Sequence, residues 1–275
     1  MKKTGILIFM LLIFAVSRGD DGDSLLWEKG GQGSLNFSQT AVSNWSSGGE
    51  SALSLNSYLD LFANYHREKI NWNNDLHIAY GFLYREKNME KTDDKFDLSS
   101  AFAYEFSEKW SYSTELGLKT QMMPGYADTV RVSDFAAPAF LMLSTGAEYT
   151  PHNKFHLLFA PLSGKMTVVA DSLLSAQGAY GVDPGRRVRL EFGGFFKISF
   201  RHELFENVNL RTKCEFFTNY IATPVYVDVN WDFLLSMKIN KLLSASINMQ
   251  LVYDHDYSTD LQFKETVGLG LSFSF

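Results

Sequence analysis

From Leu261 to Phe275 the chain alternates between two kinds of residue. Leu261, Phe263, Val267, Leu269, Leu271, Phe273 and Phe275 share one face, and Gln262, Lys264, Thr266, Gly268, Gly270, Ser272 and Ser274 share the other. Only Glu265 interrupts the apolar face. A period of two is the signature of a β-strand with one apolar side and one polar or small side. The pattern recurs in Val227–Ile239, Ser244–Asp254, Val208–Tyr220, Val188–Phe200, Trp110–Met122, Phe96–Phe106, Leu76–Tyr84 and Leu53–Tyr65. Weaker versions occupy Leu35–Val42, Ala139–Thr150 and Lys154–Leu162, which brings the expected strand count to twelve. Ten and fourteen are the neighbouring even counts, and single-chain bacterial barrels have even numbers of strands.

The predicted connections alternate in length. His66–Asn71, Ser107–Lys109, Pro151–Asn153, His202–Glu206 and Asn240–Lys241 are short. Ser43–Glu50, Lys87–Asp94, Met123–Pro138, Ser163–Gly185, Ile221–Tyr226 and Asp254–Asp260 are mostly longer. Tight turns at one end and long loops at the other match the periplasmic and extracellular ends of an outer-membrane barrel. Trp72, Phe106, Trp110, Tyr149, Phe155 and Phe205 cluster near the short turns, where an interfacial aromatic girdle belongs. All six prolines are expected in connections or at strand edges, because proline cannot donate to a ladder. A soluble β-sandwich also alternates, but it does not require so many long strands with an apolar face. The expected fold is therefore all-β: a closed antiparallel transmembrane β-barrel of about 12 strands.

Composition agrees with an apolar surface spread along the chain. Aromatic residues make up 15% of it, yet mean hydropathy is only -0.12. Lys2 and Lys3, the apolar run Gly5–Val16 and the small residues Ala15-Val16-Ser17 read as a signal peptide over residues 1–17. That run is too short for a membrane-spanning helix, which needs roughly 20 residues. Residues 18–33 read as a flexible periplasmic lead-in, with Gly30, Gly31 and Gly33 as linker, and residues 34–275 as the barrel. Cleavage after Ser17 leaves 23 basic against 31 acidic side chains, a net charge of -8, which argues against nucleic acid as a partner. The single cysteine, Cys214, excludes an internal disulfide and falls on the apolar face.

Several stretches carry a family resemblance: Asn36–Glu50 (NFSQTAVSNWSSGGE), Lys91–Asp94 (KTDD), Ser133–Pro138 (SDFAAP), Val227–Trp231 (VDVNW), Asp254–Asp256 (DHD) and Gln262–Glu265 (QFKE). Together they resemble an uncharacterised family of Bacteroidota outer-membrane proteins, a domain of unknown function, over nearly all of the mature chain. The terminal aromatic strand also resembles the C-terminal signature of bacterial barrels. The resemblance implies an outer-membrane location and the barrel fold, and it implies no activity.

If the apolar face meets lipid, the alternate residues line the interior. Arg187, Arg189, Lys197, Arg201, Arg211 and Lys213 would then form a basic wall, opposed by an acidic wall of Asp60, Asp75, Asp97, Glu105 and Glu115. Opposed charges across a water-filled lumen orient dipolar solutes, which is the logic of a selective pore. Glu191, Glu215, Asp228 and Asp232 could instead neutralise the basic wall and close the interior, leaving an envelope scaffold. The loop Ser163–Gly185 is long enough to fold inward as a constriction. A different class, an outer-membrane hydrolase, would use the extracellular Asp93, Asp94, Asp254, His255 and Asp256, with a carboxylate-oriented histidine activating water. Ordinary turn chemistry explains the same residues. The same oxygens could bind Ca²⁺, but their spacing selects no metal site. Gly164-Lys165-Met166-Thr167 lacks the upstream glycine of a phosphate loop. No histidine offers a partner for a lipid-facing serine. The sequence leads to expect no cofactor and no catalytic centre, with outer-membrane lipid and small solutes as partners.

Overall fold

The computed structural model describes residues 26–41, 51–85, 88–221, 226–256 and 258–275. The expected signal peptide, the first part of the lead-in and most of the Ser43–Glu50 loop lie outside the described residues.

The strands are β1 (Trp27–Thr40), β2 (Ala52–Arg67), β3 (Ile70–Arg85), β4 (Asn88–Ser107), β5 (Trp110–Thr120), β6 (Gly125–Ala127), β7 (Val130–Ser133), β8 (Ala139–His152), β9 (Phe155–Val168), β10 (Val188–Phe205), β11 (Val208–Asn219), β12 (Asp228–Lys238), β13 (Leu243–Asp254) and β14 (Ser258–Ser274). All but β6 and β7 close into one antiparallel barrel of twelve strands, in the order β1-β14-β13-β12-β11-β10-β9-β8-β5-β4-β3-β2. Each strand pairs with its neighbour in the chain, and β14 closes the ring on β1 with Leu271 opposite Leu35. Closure removes the unpaired edge that an open sheet would expose.

The barrel is apolar outside and polar inside. Asn36, Asp97, Ser113, Glu115, Ser144 and Ser163 are buried, whereas Phe37, Leu143, Phe159, Leu190, Val267 and Phe273 are each more than half exposed. Water would penalise that arrangement, and a hydrocarbon surround favours it. Ring pairs decorate the outside near the short turns, including Phe106–Tyr112 at 4.6 Å and Trp110–Tyr149 at 4.8 Å between centroids. Trp27 joins them, 5.2 Å from Tyr65 and 5.8 Å from Trp72.

Trp27 also corrects the expected lead-in. Trp27–Gly33 belongs to β1 and pairs with Tyr65–Leu59 of β2. Its glycines are close-packed rather than linker-like: a Cβ at Gly31 would lie 2.8 Å from the Asp60 carbonyl oxygen. Two of the expected long loops are also strand. β4 begins at Asn88, so Asp93 and Asp94 are strand residues, and β14 begins at Ser258, only four residues after Asp254.

Two prolines stand inside strands, where the register slips. Pro161 in β9 falls at shifts against both β8, between Thr145 and Ala147, and β10, between Gly193 and Phe195. Pro151 lies at the shift between Tyr149 and His152. A bulge leaves a residue unpaired, so the missing N–H disturbs no ladder bond.

Beyond the barrel, residues 121–138 and 169–187 form a small cap at the long-loop end. It holds the β6–β7 hairpin and a short helix α1 (Ser172–Ala176). Ala137, Val169, Leu174 and Val182 make its core, and the Tyr180 hydroxyl donates to the Val132 carbonyl at 2.5 Å. The Asp171 side chain caps α1, accepting from the N–H groups of Leu173 and Leu174, each at 2.9 Å, and from Arg131 at 2.8 Å. The Leu174 and Leu173 N–H groups and the Arg131 guanidinium hold its carboxyl below the ordinary 3.8. A carboxyl lowered by folding stabilises the folded form above its unfolded pKa, and that contribution is lost as the pH falls through the folded value. Protection of amides 171–178, taken relative to their intrinsic exchange at each pH, should therefore be greatest at neutral pH and fall well below pH 3.8, whereas Asp171→Asn should flatten this dependence. Hydrogen exchange read by mass spectrometry measures both.

Candidate functional site

The interior is organised in three levels, built from the inward positions of successive strands. At the long-loop end, Lys165 of β9 is a hub. Its ammonium lies 2.7 Å from both Asp228 and Asp254 and 3.9 Å from Glu191. Arg189 joins Asp256 at 2.7 Å and Glu191 at 3.1 Å, and Asn219 donates to Glu191 at 3.0 Å. Three carboxylates, Asp228, Asp254 and Asp256, stand within 4.8 Å of one another. Lys165 and Arg189 give each of them a cationic partner, although with Glu191 the group sets four carboxylates against two cations.

Beside this hub opens a cavity of about 510 Å³. Part of its wall is apolar, from Phe140, Met142, Phe195 and Phe217, and part presents the amides of Gln121, Asn230, Gln250 and Gln262. Of the cap segment 169–187, only Tyr180 lines the cavity. Of the loop that could fold inward, residues 163–168 continue β9 and α1 packs in the cap, while the Gly181 carbonyl accepts from Arg189 at 3.2 Å.

The middle level is a lattice of ion pairs that crosses the lumen. Lys95 of β4 reaches Asp232 of β12 at 3.0 Å, and these strands stand opposite each other in the ring, with five strands between them on either side. Lys119 of β5 bonds to Glu215 of β11, and Lys197 of β10 bonds to Glu115 of β5. Lys213 of β11 lies 3.5 Å from Asp97 of β4 and 3.4 Å from Glu215. Ser99 and Asn230 donate to Glu115 and Glu215, so the buried carboxylates are multiply satisfied. Buried charges persist only when paired in this way.

The third level lies toward the short turns. Asp60 bonds to His77 at 2.6 Å, beside a small void of about 30 Å³ that Tyr58, Leu234 and Asn248 also line. Arg201 and Arg211 sit opposite each other in the β10–β11 register. Asp75 is within electrostatic range of both arginines, and Asp60 of Arg211, without forming an ion pair with either.

The sequence-predicted walls therefore have four fates, the first being that of Arg189, which pairs with Asp256 and Glu191 at the long-loop end. Lys197, Lys213, Asp97 and Glu115 meet across the lumen rather than facing each other through water. Arg201, Arg211, Asp60 and Asp75 remain separated. Arg187 and Glu105 leave the lumen's centre: Arg187 precedes β10, is exposed and donates to Ser172 at 2.9 Å, and Glu105 accepts from Asn71 near a short turn.

The proposed hydrolytic cluster is dispersed among other partners. Asp93 pairs with Lys264 at 2.5 Å, and Asp94 accepts from Lys91 and from the N–H groups of Met122 and Met123. Asp254 and Asp256 serve Lys165 and Arg189. His255 stacks on Tyr226 with centroids 3.6 Å apart, and its Nδ1 makes no hydrogen bond. No histidine–carboxylate pair forms at Asp254–Asp256 among the described residues.

Lys95, Lys119 and Lys165 were missed as site residues. In the sequence Lys165 stands out only within Gly164-Lys165-Met166-Thr167, which lacks the upstream glycine of a phosphate loop. Their signal was the parity that singled out Asp97, since all three occupy inward positions.

Comparison with known proteins adds the following. A family described as a protein of unknown function (DUF3078) matches residues 37–126, from the end of β1 to β6. Phe37–Glu50 and Lys91–Asp94, which carried part of the resemblance, fall inside this match. No curated protein matches the chain. Among solved structures, an outer membrane channel from Pseudomonas putida F1 aligns over 94% of this chain and 98% of its own, at 11% identity and a TM-score of 0.41. The NanC porin aligns over 90% and 99%, at 7% identity and a TM-score of 0.43. Outer membrane phospholipase A from Escherichia coli aligns over 92% and 94%, at 13% identity and a TM-score of 0.36.

Proposed function

We propose that this chain spans the outer membrane as a narrow, charge-gated passage for small polar solutes. The outward apolar face, the aromatic residues near the short turns and the polar interior support the membrane setting. The observation that carries the passage is the mouth-side cavity of about 510 Å³ whose deep lining includes Lys95, Asp97, Glu115, Lys119, Lys213 and Glu215. These are members of the ion-pair lattice, and long charged side chains can change partners as a solute carrying its own dipole or charge competes for them. A plug of packed apolar residues would offer no such exchange.

The same lattice also favours a second reading, an envelope scaffold, because pairs between opposite strands brace the cylinder. Planar-bilayer recording separates the two. The wild-type protein is expected to give small conductance steps. Lys119→Ser combined with Glu215→Ser removes both partners of one crossing pair, so neither charge is orphaned, and should raise the steps severalfold. A silent wild type together with a silent variant would reject the passage and leave the scaffold.

A further inference from the structure

The inward lysines of the upper and middle levels each have a carboxylate at hand. Lys91, Lys95, Lys119, Lys165, Lys197 and Lys213 all reach one within 3.5 Å. Arg201 and Arg211 do not: among the described residues they form no ion pair, and only the longer-range pull of Asp60 and Asp75 opposes them. They are moreover direct cross-strand partners on one face of β10 and β11, with Ser199 opposite Lys213 and Glu203 opposite Asn209 as the flanking pairs on that face, and Glu203 accepts from the Asn207 N–H rather than pairing with either arginine. Like charges placed directly opposite on an antiparallel pair repel, and a sheet that keeps them forgoes stability.

Two planar guanidiniums side by side have a definite chemistry. Each presents a fork of N–H donors matched to the two oxygens of a carboxylate or phosphate, and one oxyanion between them would remove the repulsion. Arg201 is exposed and Arg211 half-buried beside it, so an anion arriving from the short-turn end meets the Arg201 guanidinium first. We propose that Arg201 and Arg211 form a binding site for the oxyanion group of a small solute, a carboxylate or a phosphate. Its further consequence, anion preference at the short-turn mouth, rests on the passage proposed above, whereas binding itself does not.

The full chain folded in detergent micelles tests the binding. Inorganic phosphate and acetate are compared with chloride at matched ionic strength, and thermal unfolding is followed. Phosphate, acetate or both should raise the unfolding midpoint of the wild type above its value in chloride. Arg201→Gln combined with Arg211→Gln should lose that rise. Without ligand this variant should unfold no earlier than wild type, because a repulsion has been removed and no ion pair lost. An equal rise in both proteins, or none in the wild type, would overturn the site. Reversal potentials in a salt gradient test the consequence: the double variant should lose anion preference. Unchanged selectivity in a conducting variant counts against the site, whereas silence in every protein counts against the passage and leaves the phosphate result standing.

Discussion

Replacing Lys165 with methionine is expected to cost the barrel roughly 3–5 kcal/mol, the range seen when one partner of a buried ionic group is removed. The Lys165 ammonium is 2.7 Å from Asp228 and 2.7 Å from Asp254, with Glu191 at 3.9 Å, and the side chain is only 9% exposed. The same ammonium stands over the rings of Phe140 and Phe217, 5.9 and 5.5 Å from their centroids. Methionine keeps most of the apolar stem against those rings. The loss should therefore come from the carboxylates left without their cation, not from an empty volume. Arg189 cannot take over, since it already serves Asp256 and Glu191. Urea unfolding in lipid bilayers measures the change. Adding Asp254→Asn to Lys165→Met should recover part of the loss, because one uncompensated charge disappears, and the two substitutions should be strongly non-additive. A Lys165→Met protein with the wild-type urea midpoint would mean that the hub contributes no stability.

That hub also marks where sequence reasoning stopped. The twelve staves were legible because each strand has one face toward the apolar exterior, and a period of two survives in any local window. Trp27–Gly33 escaped because Gly30, Gly31 and Gly33 have no side chain to alternate, although a Cβ at Gly30 would lie 2.8 Å from the Phe62 ring. Asp93 and Asp94 looked like loop residues because acidic runs favour turns, yet β4 runs from Asn88 and is 20 residues long. Inward parity could have picked out Lys95 and Asp232 separately. Their pairing could not be read locally, because they are 137 residues apart and meet only where the closed ring sets β4 opposite β12. The inner apolar patch was hidden for a related reason. Phe195 alternates with Phe196 and Phe217 with Phe216, so both faces are apolar there and periodicity cannot tell inside from outside.

Gly270→Val should prevent the barrel from closing. β14 joins β1 through five residue pairs, Gln32–Ser274 to Asn36–Gly270, whereas β1 and β2 share fourteen. This seam is short, and Gly270 stands at one end of it. A Cβ there would overlap the Leu35 carbonyl oxygen and lie 2.5 Å from Asn36 Oδ1 and 2.7 Å from Asn36 Cα. Asn36 itself is 4% exposed and donates to Ser246 at 3.3 Å, so it has little room to retreat. Gly268 is overlaid by the same side chain, with Asn36 Cγ 2.7 Å from its would-be Cβ. The small residues on the inner face of the last strand thus make room for Asn36 rather than widen the lumen. Overpacking typically costs roughly 1–3 kcal/mol when side chains can yield. Here a backbone oxygen stands in the way, and moving it breaks the ladder that closes the ring. Gly270→Val should therefore lose most of the heat-modifiable folded band on cold gel electrophoresis after refolding into micelles. Gly270→Ala should already lose part of it, because alanine carries the same Cβ. Leu269→Val, one residue away on the outward face, should refold like wild type, which separates the seam from any general effect of valine. Wild-type folding yield for Gly270→Val would refute the close approach of β1 and β14.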